Sequence, residues 1–424
     1  MMLSKDLMKL VKLPEVQNII WLVVDRVWRM VVSLIVGVWV TRYLGPVNFG
    51  KINYVNAYIG VGIVLANLGM ESFLVKELVM HKEQRNSIIS TAFALRMFAS
   101  IATLLCLLLF FWITNETNEN LLILLLLIFP LLTTSFATID YVFQAELKSK
   151  TVVLFRNSFF VVGALLKILA ILAKADILVF AFLTVFDVFI ADVVLFLYFR
   201  FREKFKLFFS LPAIAAMIKK AIPFMVANLA IVVYMKIDQI LLGKLSTIEQ
   251  VGYFTACTKV TEIFYFIPLV VTGSCYKVLI KKRGISSNAY FKLAKIIFWS
   301  FLAGAAILSI ALSLSSSLVI SLLFGSEYVE SASVLALYCW TLVPIFGGVA
   351  FSQLMIIEEQ QKIILYKTLI GLVLNVILNI VLIPKFGAMG AAVATIITQW
   401  ASSIFANYIF RDSRLIFNHY FKFQ

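Results

Sequence analysis

Long apolar stretches follow one another along almost the whole chain, and short links between them hold most of the charged residues. A helix of roughly 20 apolar residues crosses a bilayer core about 30 Å thick, so stretches of this length predict membrane-spanning helices. Twelve such spans fit the sequence. Their approximate bounds are 17–43, 49–75, 87–113, 121–145, 152–173, 177–199, 218–243, 250–276, 291–319, 329–357, 363–383 and 388–410.

The links alternate between basic and nearly uncharged. Assigning alternate links to opposite sides places 24 of the 37 Lys and Arg residues on one side and 5 on the other. Cytoplasmic links carry the excess of Lys and Arg in membrane proteins. We therefore expect a multi-pass protein of the bacterial inner (cytoplasmic) membrane with both termini in the cytoplasm.

Composition excludes a water-soluble globule, because 62% of the residues are hydrophobic, 14% are charged and the mean hydropathy is +1.00. The net charge of +15 follows from the basic links, so we expect no nucleic-acid partner. A basic rim can still attract anionic lipid headgroups or a pyrophosphate-bearing lipid. The four Cys and two His residues show no metal-ligand spacing, and neither a metal nor a cofactor is expected.

Two segments about 200 residues apart echo each other: Arg42–Gly50 joins spans one and two, and Ile240–Tyr253 joins spans seven and eight. Both junctions combine a Leu-Gly exit with an adjacent Gly and aromatic residue. Since six helices separate them, both copies enter the membrane in the same sense. This predicts a parallel repeat of two six-helix lobes, residues 1–210 and 211–424.

The first span carries three charged residues, Asp25, Arg26 and Arg29. Ionisable groups inside a membrane mark functional sites unless they are paired. Asp25 and Arg29 are four residues apart and share a helix face. A structural ion pair with a snorkelling second arginine and a positively charged functional face are both open interpretations.

Other polar residues interrupt later spans. Asn53 and Asn56 in span two lie on a polar seam that fits either hydrogen bonding between helices or the lining of a wet cavity. Arg96 stands alone in span three, with Asp140 as one available partner. Basic residues outnumber their acidic neighbours among the cavity candidates, which favours an anionic substrate. The candidate cations are Arg26, Arg29, Arg96, Lys236 and Lys259; Asp25, Asn53, Asn56, Gln144 and Asp238 are candidates for the polar lining.

Catalytic motifs are absent from the sequence: no phosphate-binding glycine loop, nucleophile elbow or metal-spaced cluster occurs. We therefore expect a transporter rather than an enzyme, driven by an ion gradient or by the gradient of its own substrate.

A set of short segments in a fixed order has the character of a family signature. These segments are Arg42–Gly50, Ile139–Lys148, Asp238–Tyr253, Leu323–Tyr328, Asn375–Asn379, and Ile383–Gly387 with Gly390–Thr395. They resemble the O-antigen type of polysaccharide repeat-unit flippase, within the multidrug/oligosaccharidyl-lipid/polysaccharide exporter superfamily, and the similarity runs from about residue 18 to residue 410. Ala145 stands where the family's Phe-Gln-Gly-x-Glu form has glycine.

This resemblance implies a MATE-like fold and an undecaprenyl-pyrophosphate-linked oligosaccharide as substrate, moved from the cytoplasmic to the periplasmic leaflet. It also implies alternating access between two lobes around a cationic cavity, coupled to proton or sodium entry. The cations above would attract the pyrophosphate or an acidic sugar, and Asn53, Asn56 and Gln144 would hydrogen-bond sugars. Membrane lipids, an O-antigen polymerase and a chain-length regulator are the partners that it suggests.

Three other functions remain to be weighed. A multidrug/cation antiporter of the same superfamily is expected to present acidic groups to its substrates, whereas this chain has a basic excess. A lipid II flippase is expected to have fourteen spans, whereas twelve spans fit this sequence. A sugar polymerase or transferase needs a large outer loop, and the outer links of this chain are short.

Overall fold

The computed structural model describes residues 14–203, 205, 207–208 and 211–419, and these residues are almost entirely helical, with no strand among them. The two chain termini, for which we predict a cytoplasmic location, lie outside this part of the chain. Two compact units are present. The first contains the described residues up to Leu44 and Val55–Val232, and the second contains Gly45–Tyr54 and the described residues from Val233 onward.

The α-helices are numbered in chain order, and short 3₁₀ turns connect some of them. They are α1 (Pro14–Asn67), α2 (Glu71–Met80), α3 (Arg85–Ile113), α4 (Asn118–Leu127), α5 (Phe129–Phe136), α6 (Thr138–Ala145), α7 (Ser149–Leu172), α8 (Ile177–Arg202), α9 (Leu211–Leu245), α10 (Ile248–Glu262), α11 (Phe266–Ile285), α12 (Ser287–Leu314), α13 (Ser316–Phe324), α14 (Val329–Tyr338), α15 (Leu342–Ile357), α16 (Gln361–Ser403) and α17 (Arg411–Asn418).

Ten helical segments of the described chain are long and apolar enough to cross a membrane. Two of them, Val24–Asn67 and Gln361–Tyr408, are 44 and 48 residues long, about twice what one crossing requires. Each contains one glycine with a non-helical backbone, Gly45 in α1 and Gly387 in α16. The predicted all-helical membrane architecture is confirmed. The count of twelve crossings stays a prediction, and these two interrupted helices have the length to supply it.

The end of the second predicted span differs from the structure. We expected that helix to continue to residue 75, but α1 ends at Asn67 and α2 begins at Glu71. Leu68 and Gly69 between them have positive φ angles of 53° and 63°. A side chain at Gly69 would come within 2.5 Å of the backbone nitrogen of Met225. Close backbone approach therefore requires glycine at this turn. The apolar pattern of the sequence continues through these residues, so it did not indicate the turn.

The fourth predicted span, 121–145, is built from three short helices, α4, α5 and α6. Pro130 lies at the start of α5, where its missing N–H cannot continue the preceding helix. The hydroxyl of Thr133 donates to Pro130 O at 2.9 Å, and that of Thr134 donates to Leu131 O at 2.8 Å. Side chains thus satisfy carbonyl groups near the break, as the hydrocarbon environment requires.

Aromatic side chains fill the core of the first unit where α2, α3, α6 and α8 converge. The rings of Phe93 and Phe196 stack with their centroids 5.0 Å apart, and Phe136 meets both edge-on. The opposite face of α3 carries large exposed apolar side chains, including Phe98 at 73% and Trp112 at 76%. A helix with one packed face and one exposed apolar face suits a boundary between protein and lipid.

In the second unit, the two echoing segments of the sequence pack against each other. A side chain on Gly50 would overlap Ile248 O, and one on Gly252 would overlap Pro46 O. A side chain on Gly243 would overlap the ring of Tyr54. The glycines that suggested a repeat are therefore the positions where backbones approach most closely, as small residues permit in membrane helices.

The compact units do not coincide with residues 1–210 and 211–424, so the division into two six-helix lobes stays a prediction. The first half of α9 belongs to the first unit. There Lys220 Nζ lies 2.8 Å from Glu77 Oε1, and the rings of Phe224 and Phe73 have centroids 5.8 Å apart. Because of these contacts, the first half of α9 belongs to the same compact unit as α2.

We predict that Gly252→Ala destabilises the protein, because the added methyl group would overlap the backbone carbonyl oxygen of Pro46. A backbone atom cannot move aside as the end of a flexible side chain can. Overpacking of this kind costs about 1–3 kcal/mol. The midpoint temperature for loss of monodisperse protein in detergent, followed by size-exclusion chromatography, should fall. Gly304→Ala is the matched control, since nothing lies within 4 Å of a methyl group there. Equal midpoints for the two variants would contradict the close packing described here.

Candidate functional site

The charged residues of α1 form an ion pair with one arginine beside it. Arg29 Nε donates to Asp25 Oδ1 at 2.8 Å across one helical turn. The Arg29 guanidinium also lies 5.6 Å from the ring centre of Phe160, and its Nη2 is buried with no hydrogen-bond partner in the described structure. Arg26 is exposed. The predicted pair is present, and Arg29 keeps a donor that the pair does not use.

Arg96 is completely buried, at 0% exposure. Its Nη1 donates to Thr134 O at 3.1 Å and to Thr138 Oγ1 at 3.3 Å, and its guanidinium lies 5.0 Å from the ring centre of Tyr141. Within the described residues it makes no ion pair, and its Nε and Nη2 have no acceptor. Backbone and hydroxyl dipoles from α5 and α6 therefore stabilise this charge, helped by the aromatic ring.

Asp140 is not the partner of Arg96, contrary to the possibility raised by the sequence. It pairs with Arg156 of α7, whose Nη1 lies 2.8 Å from Asp140 Oδ2 and whose Nη2 lies 2.8 Å from Asp192 Oδ1. The planar fork of an arginine suits a bridge between two carboxylates. Arg156 was not among our site candidates, because it lies in the second turn of α7, close to the basic link that precedes this helix. The two aspartates inside predicted spans four and six were the signal that a cation from another helix must pair with them.

A further buried pair connects α7 and α8. Lys167 and Asp187 interact electrostatically, while Asp187 Oδ1 is buried without a hydrogen-bond donor. The field of Arg29 reaches Asp187 and Asp192 as well. Apart from the exposed Arg26, the charged groups of the first unit described in this section are four cations and four carboxylates. The expected excess of positive charge is thus not a property of this unit's interior; what remains unpaired are particular arginine N–H groups.

The three candidate amides have different surroundings. Asn53 is buried, and its Nδ2 donates to Phe49 O at 2.7 Å, one turn back in its own helix. Asn56 and Gln144 are half-buried, and their side chains make no hydrogen bond to other described residues. Asn56 and Gln144 therefore retain free amide groups, whereas the NH₂ group of Asn53 is already engaged.

The two candidate lysines of the second unit are partly or largely exposed. Lys236 in α9 is half-buried, with no hydrogen-bond or ion-pair partner among the described residues. Lys259 in α10 is exposed, and its Nζ lies 4.4 Å from the ring centre of Phe49, a cation–π geometry. Lys236 is thus the candidate lysine that stays unpaired within the described part of the chain, whereas Lys259 contacts an aromatic ring.

Asp238 of α9 is buried, at 3% exposure, in an oxygen-rich cluster inside the second unit. Its Oδ1 accepts a hydrogen bond from Asn379 Nδ2 at 2.6 Å, and its Oδ2 accepts one from Thr395 Oγ1 at 2.7 Å. Asn379 and Thr395 lie in α16 on either side of Gly387. The interruption of α16 therefore folds two stretches of one helix around a single carboxylate.

Two neighbouring amide oxygens in this cluster have no donor. Asn375 Oδ1 and Asn379 Oδ1 are buried without a hydrogen-bond partner in the described structure. Thr398 completes the cluster by accepting hydrogen bonds from Tyr234 Oη at 3.2 Å and Asn375 Nδ2 at 3.4 Å. An unpaired carboxylate beside amide and hydroxyl oxygens can hold a small hard cation or a proton. Asn375, Asn379, Thr395 and Thr398 were not among our site candidates, although the first three lie in segments that resemble the family.

In the described residues, no group of three or more His, Cys, Asp and Glu side chains is arranged to hold a metal ion. The Asp238 cluster contains one carboxylate, and its remaining oxygens come from amides and hydroxyls. These donors are hard oxygen atoms, which transition metals that prefer nitrogen or sulfur ligands do not favour.

Known proteins with similar sequences or folds agree with this architecture. A curated relative, "Probable flippase AglR" of Haloferax volcanii, is 29% identical over 198 residues, which are 42% of this chain and 38% of that protein. The solved structure of the lipid II flippase MurJ in an inward closed conformation has a TM-score of 0.71 at 15% identity, covering 95% of this chain and 91% of that one. A multidrug resistance MATE transporter in an inward-facing conformation has a TM-score of 0.72 at 15% identity, covering 95% and 98%.

At such low identity the two structural similarities establish the fold alone, and that fold is the one expected for the exporter superfamily. The family model described as "Polysaccharide biosynthesis protein" matches residues 16–280, more than half of the chain. The resemblance inferred from the sequence is thereby confirmed. The chain belongs to the polysaccharide biosynthesis protein family and has the membrane-spanning helical fold of flippases and multidrug exporters.

Proposed function

We propose that the protein is a flippase for a lipid-linked oligosaccharide. In the specific form of this proposal, the substrate is an undecaprenyl-pyrophosphate-linked O-antigen repeat unit that moves from the cytoplasmic to the periplasmic leaflet of a bacterial inner membrane. Membership of the polysaccharide biosynthesis protein family supports this function. The flippase names of a sequence relative and of a protein with the same fold support it further.

The observation that carries the substrate proposal is the presence of arginine N–H groups without acceptors inside the helical bundle. Within the predicted spans of the described chain they are Arg29 Nη2, Arg96 Nε and Arg96 Nη2. Arg85 Nε is also without an acceptor, but Arg85 begins α3 and is ion-paired with Glu146 and Glu203. Phosphate oxygens pair with a guanidinium fork by short, charge-assisted hydrogen bonds. Arg29 is about one quarter exposed but its Nη2 is buried, so a ligand would reach this donor after a rotation of the side chain. Arg96 is buried behind α5 and α6, so it can reach a ligand only when these short helices shift.

Sugar hydroxyls need both donors and acceptors, which amide side chains provide. Asn56 and Gln144 are half-buried and keep free amides, so we assign them this role. Asn53 can contribute only its amide oxygen while its Nδ2 is bonded to Phe49 O. The proposed substrate site therefore combines phosphate recognition by arginine with hydrogen bonding to sugars by amides.

We assign to the Asp238 cluster the binding of the cation whose gradient drives transport. This cluster consists of Asp238, Asn375, Asn379, Thr395 and Thr398. The carboxylate is buried, forms no ion pair with a described lysine or arginine, and is surrounded by hydroxyl and amide groups. Binding of sodium or a proton neutralises a buried charge whose desolvation is otherwise unfavourable. Since the ligands come from α9 and both halves of α16, occupancy of this site can bias the arrangement of these helices.

A cation/drug antiporter is the second candidate function. The balance of cations and carboxylates in the first unit and the unsatisfied Asp187 Oδ1 favour it, as does the fold shared with a MATE transporter. The two functions differ in what accumulates when the protein is lost. A flippase deletion leaves lipid-linked oligosaccharide in the inner leaflet, whereas an antiporter deletion changes the cell's resistance to cationic drugs.

Neither function requires catalysis, and association with a polymerase or chain-length regulator stays a prediction.

For substrate binding, we predict that Arg29→Ala reduces export of surface polysaccharide by at least about tenfold. A hydrogen bond to a charged group contributes about 1.5–3 kcal/mol, and the substitution removes both the positive charge and its unused donor. Arg29→Lys keeps the charge but loses the fork, so its export should be intermediate. The measurement is the amount of surface polysaccharide in a deletion strain that expresses each variant at equal membrane abundance.

Arg200→Ala is the matched control, because Arg200 is exposed in the last turn of α8 and has no proposed contact with substrate. Its export should equal that of the unmodified protein. Normal export by Arg29→Ala at equal abundance would remove Arg29 from the substrate site.

For the ion site, we predict that Asp238→Asn abolishes stabilisation by the coupling cation. A ligand present at 100 times its Kd stabilises the folded state by about 2.7 kcal/mol, which raises the midpoint of thermal unfolding by several degrees. The midpoint of the purified protein should rise when sodium replaces choline at equal ionic strength. If the coupling ion is a proton, the midpoint should instead depend on pH in choline, and either effect should vanish in Asp238→Asn.

Asp187→Asn serves as the control, because it removes a buried carboxylate of the other unit. This variant should keep the cation response of the unmodified protein. The assignment is wrong if Asp238→Asn responds to cations as the unmodified protein does, or if Asp187→Asn loses the response equally.

A further inference from the structure

A groove of about 780 Å³ lies at the beginning of α12, between that helix and the residue that follows α17. It is remote in sequence from the arginines and from the Asp238 cluster, and the proposed transport function does not use it. Asn288, Lys292, Lys295 and Trp299 line it from α12, and His419 lines it from the other side. These α12 residues recur every three or four positions, so they form one stripe along the helix.

The groove is basic. Lys292 and Lys295 are neighbours on the same face, and none of the described residues that line the groove is acidic. Lys292 is exposed and Lys295 is half-buried. Asn288 and Ser287 add hydrogen-bonding groups at the first turn of the helix. Among the described lining residues, a phosphodiester would meet two ammonium groups and neutral polar groups here.

The lining of the groove changes from polar to apolar along α12. Ile296, 55% exposed, and Trp299, 39% exposed, follow the lysines by one turn, in the direction of the span's apolar middle. Tryptophan prefers the level of lipid headgroups because its ring is amphipathic. The order of neutral polar groups, lysines and then the apolar pair Ile296 and Trp299 matches the order of headgroup, phosphate and apolar region in a phospholipid.

His419 forms the opposite wall of the groove. It directly follows α17, whose Phe417 is completely buried, with its ring centroid 5.2 Å from that of Phe351. Arg411 and Arg414 of the same helix are exposed. His419 stacks on Phe291 with centroids 4.2 Å apart, which fixes this wall against α12.

We infer that this groove binds one anionic phospholipid of the surrounding leaflet. Its phosphodiester lies between Lys292 and Lys295, and its acyl chains follow Ile296 and Trp299. The chemistry that selects it is the negative headgroup together with the apolar tail. A zwitterionic lipid has the same tail but carries an additional positive charge that the lysines repel.

The test uses quenching of Trp299 fluorescence by brominated lipids in vesicles of phosphatidylcholine that contain the full-length protein. The Trp299 signal is the difference between the unmodified protein and Trp299→Phe. Brominated phosphatidylglycerol should quench this signal at a much lower mole fraction than brominated phosphatidylcholine does. Each lysine near a membrane surface contributes about fivefold to the attraction of an anionic lipid, so Lys292→Gln/Lys295→Gln should weaken the preference about thirtyfold.

Lys277→Gln/Lys281→Gln is the matched control, because both lysines are exposed on α11 and neither lines the groove. This variant should keep the preference for phosphatidylglycerol. Equal quenching by both lipids in the unmodified protein would overturn the inference, as would equal loss of preference in the two double variants. If inorganic phosphate reverses the quenching more than chloride does at the same ionic strength, the groove is a site for free anions and not for a lipid.

Discussion

Hydrocarbon offers no hydrogen-bond partner, so every charge and every broken backbone hydrogen bond inside the bundle must be satisfied by the protein itself. This constraint explains the bridge from Arg156 to Asp140 and Asp192, which joins three helices through one guanidinium. It also explains the threonine hydroxyls that bond to carbonyls at the break before α5. The groups that remain unsatisfied are few, and their positions are therefore informative.

The unsatisfied groups of the described residues differ between the two units. The first unit holds arginine donors without acceptors, together with two acceptors without donors, Asn157 Oδ1 and Asp187 Oδ1. In the second unit, the amide oxygens of Asn375 and Asn379 lack donors beside the Asp238 carboxylate. The proposed transport of a pyrophosphate-linked lipid at the expense of a cation gradient needs binding groups of both signs.

Interrupted helices supply the polar groups that surround Asp238 and Arg96. Gly387 separates Asn379 from Thr395, yet both side chains bond to Asp238. Likewise, α4 to α6 divide one membrane crossing into three short helices, two of which supply the hydrogen bonds to Arg96. Interrupted helices expose backbone and side-chain dipoles at the level where an ion or a substrate headgroup must bind.

Apolar length and the distribution of lysine and arginine were sufficient to predict a polytopic helical membrane protein, since both properties are set locally by the thickness and asymmetry of a bilayer. The repeated glycines, Gly50 and Gly252, were recognisable in sequence, but only the fold revealed that they meet. The Asp25–Arg29 pair followed from helical spacing. The partners of Asp140, the burial of Arg96 and the enclosure of Asp238 by Asn379 and Thr395 depended on helices distant in sequence. Periodicity describes one helix at a time, whereas the pairing of a buried charge is decided by whichever helix packs beside it.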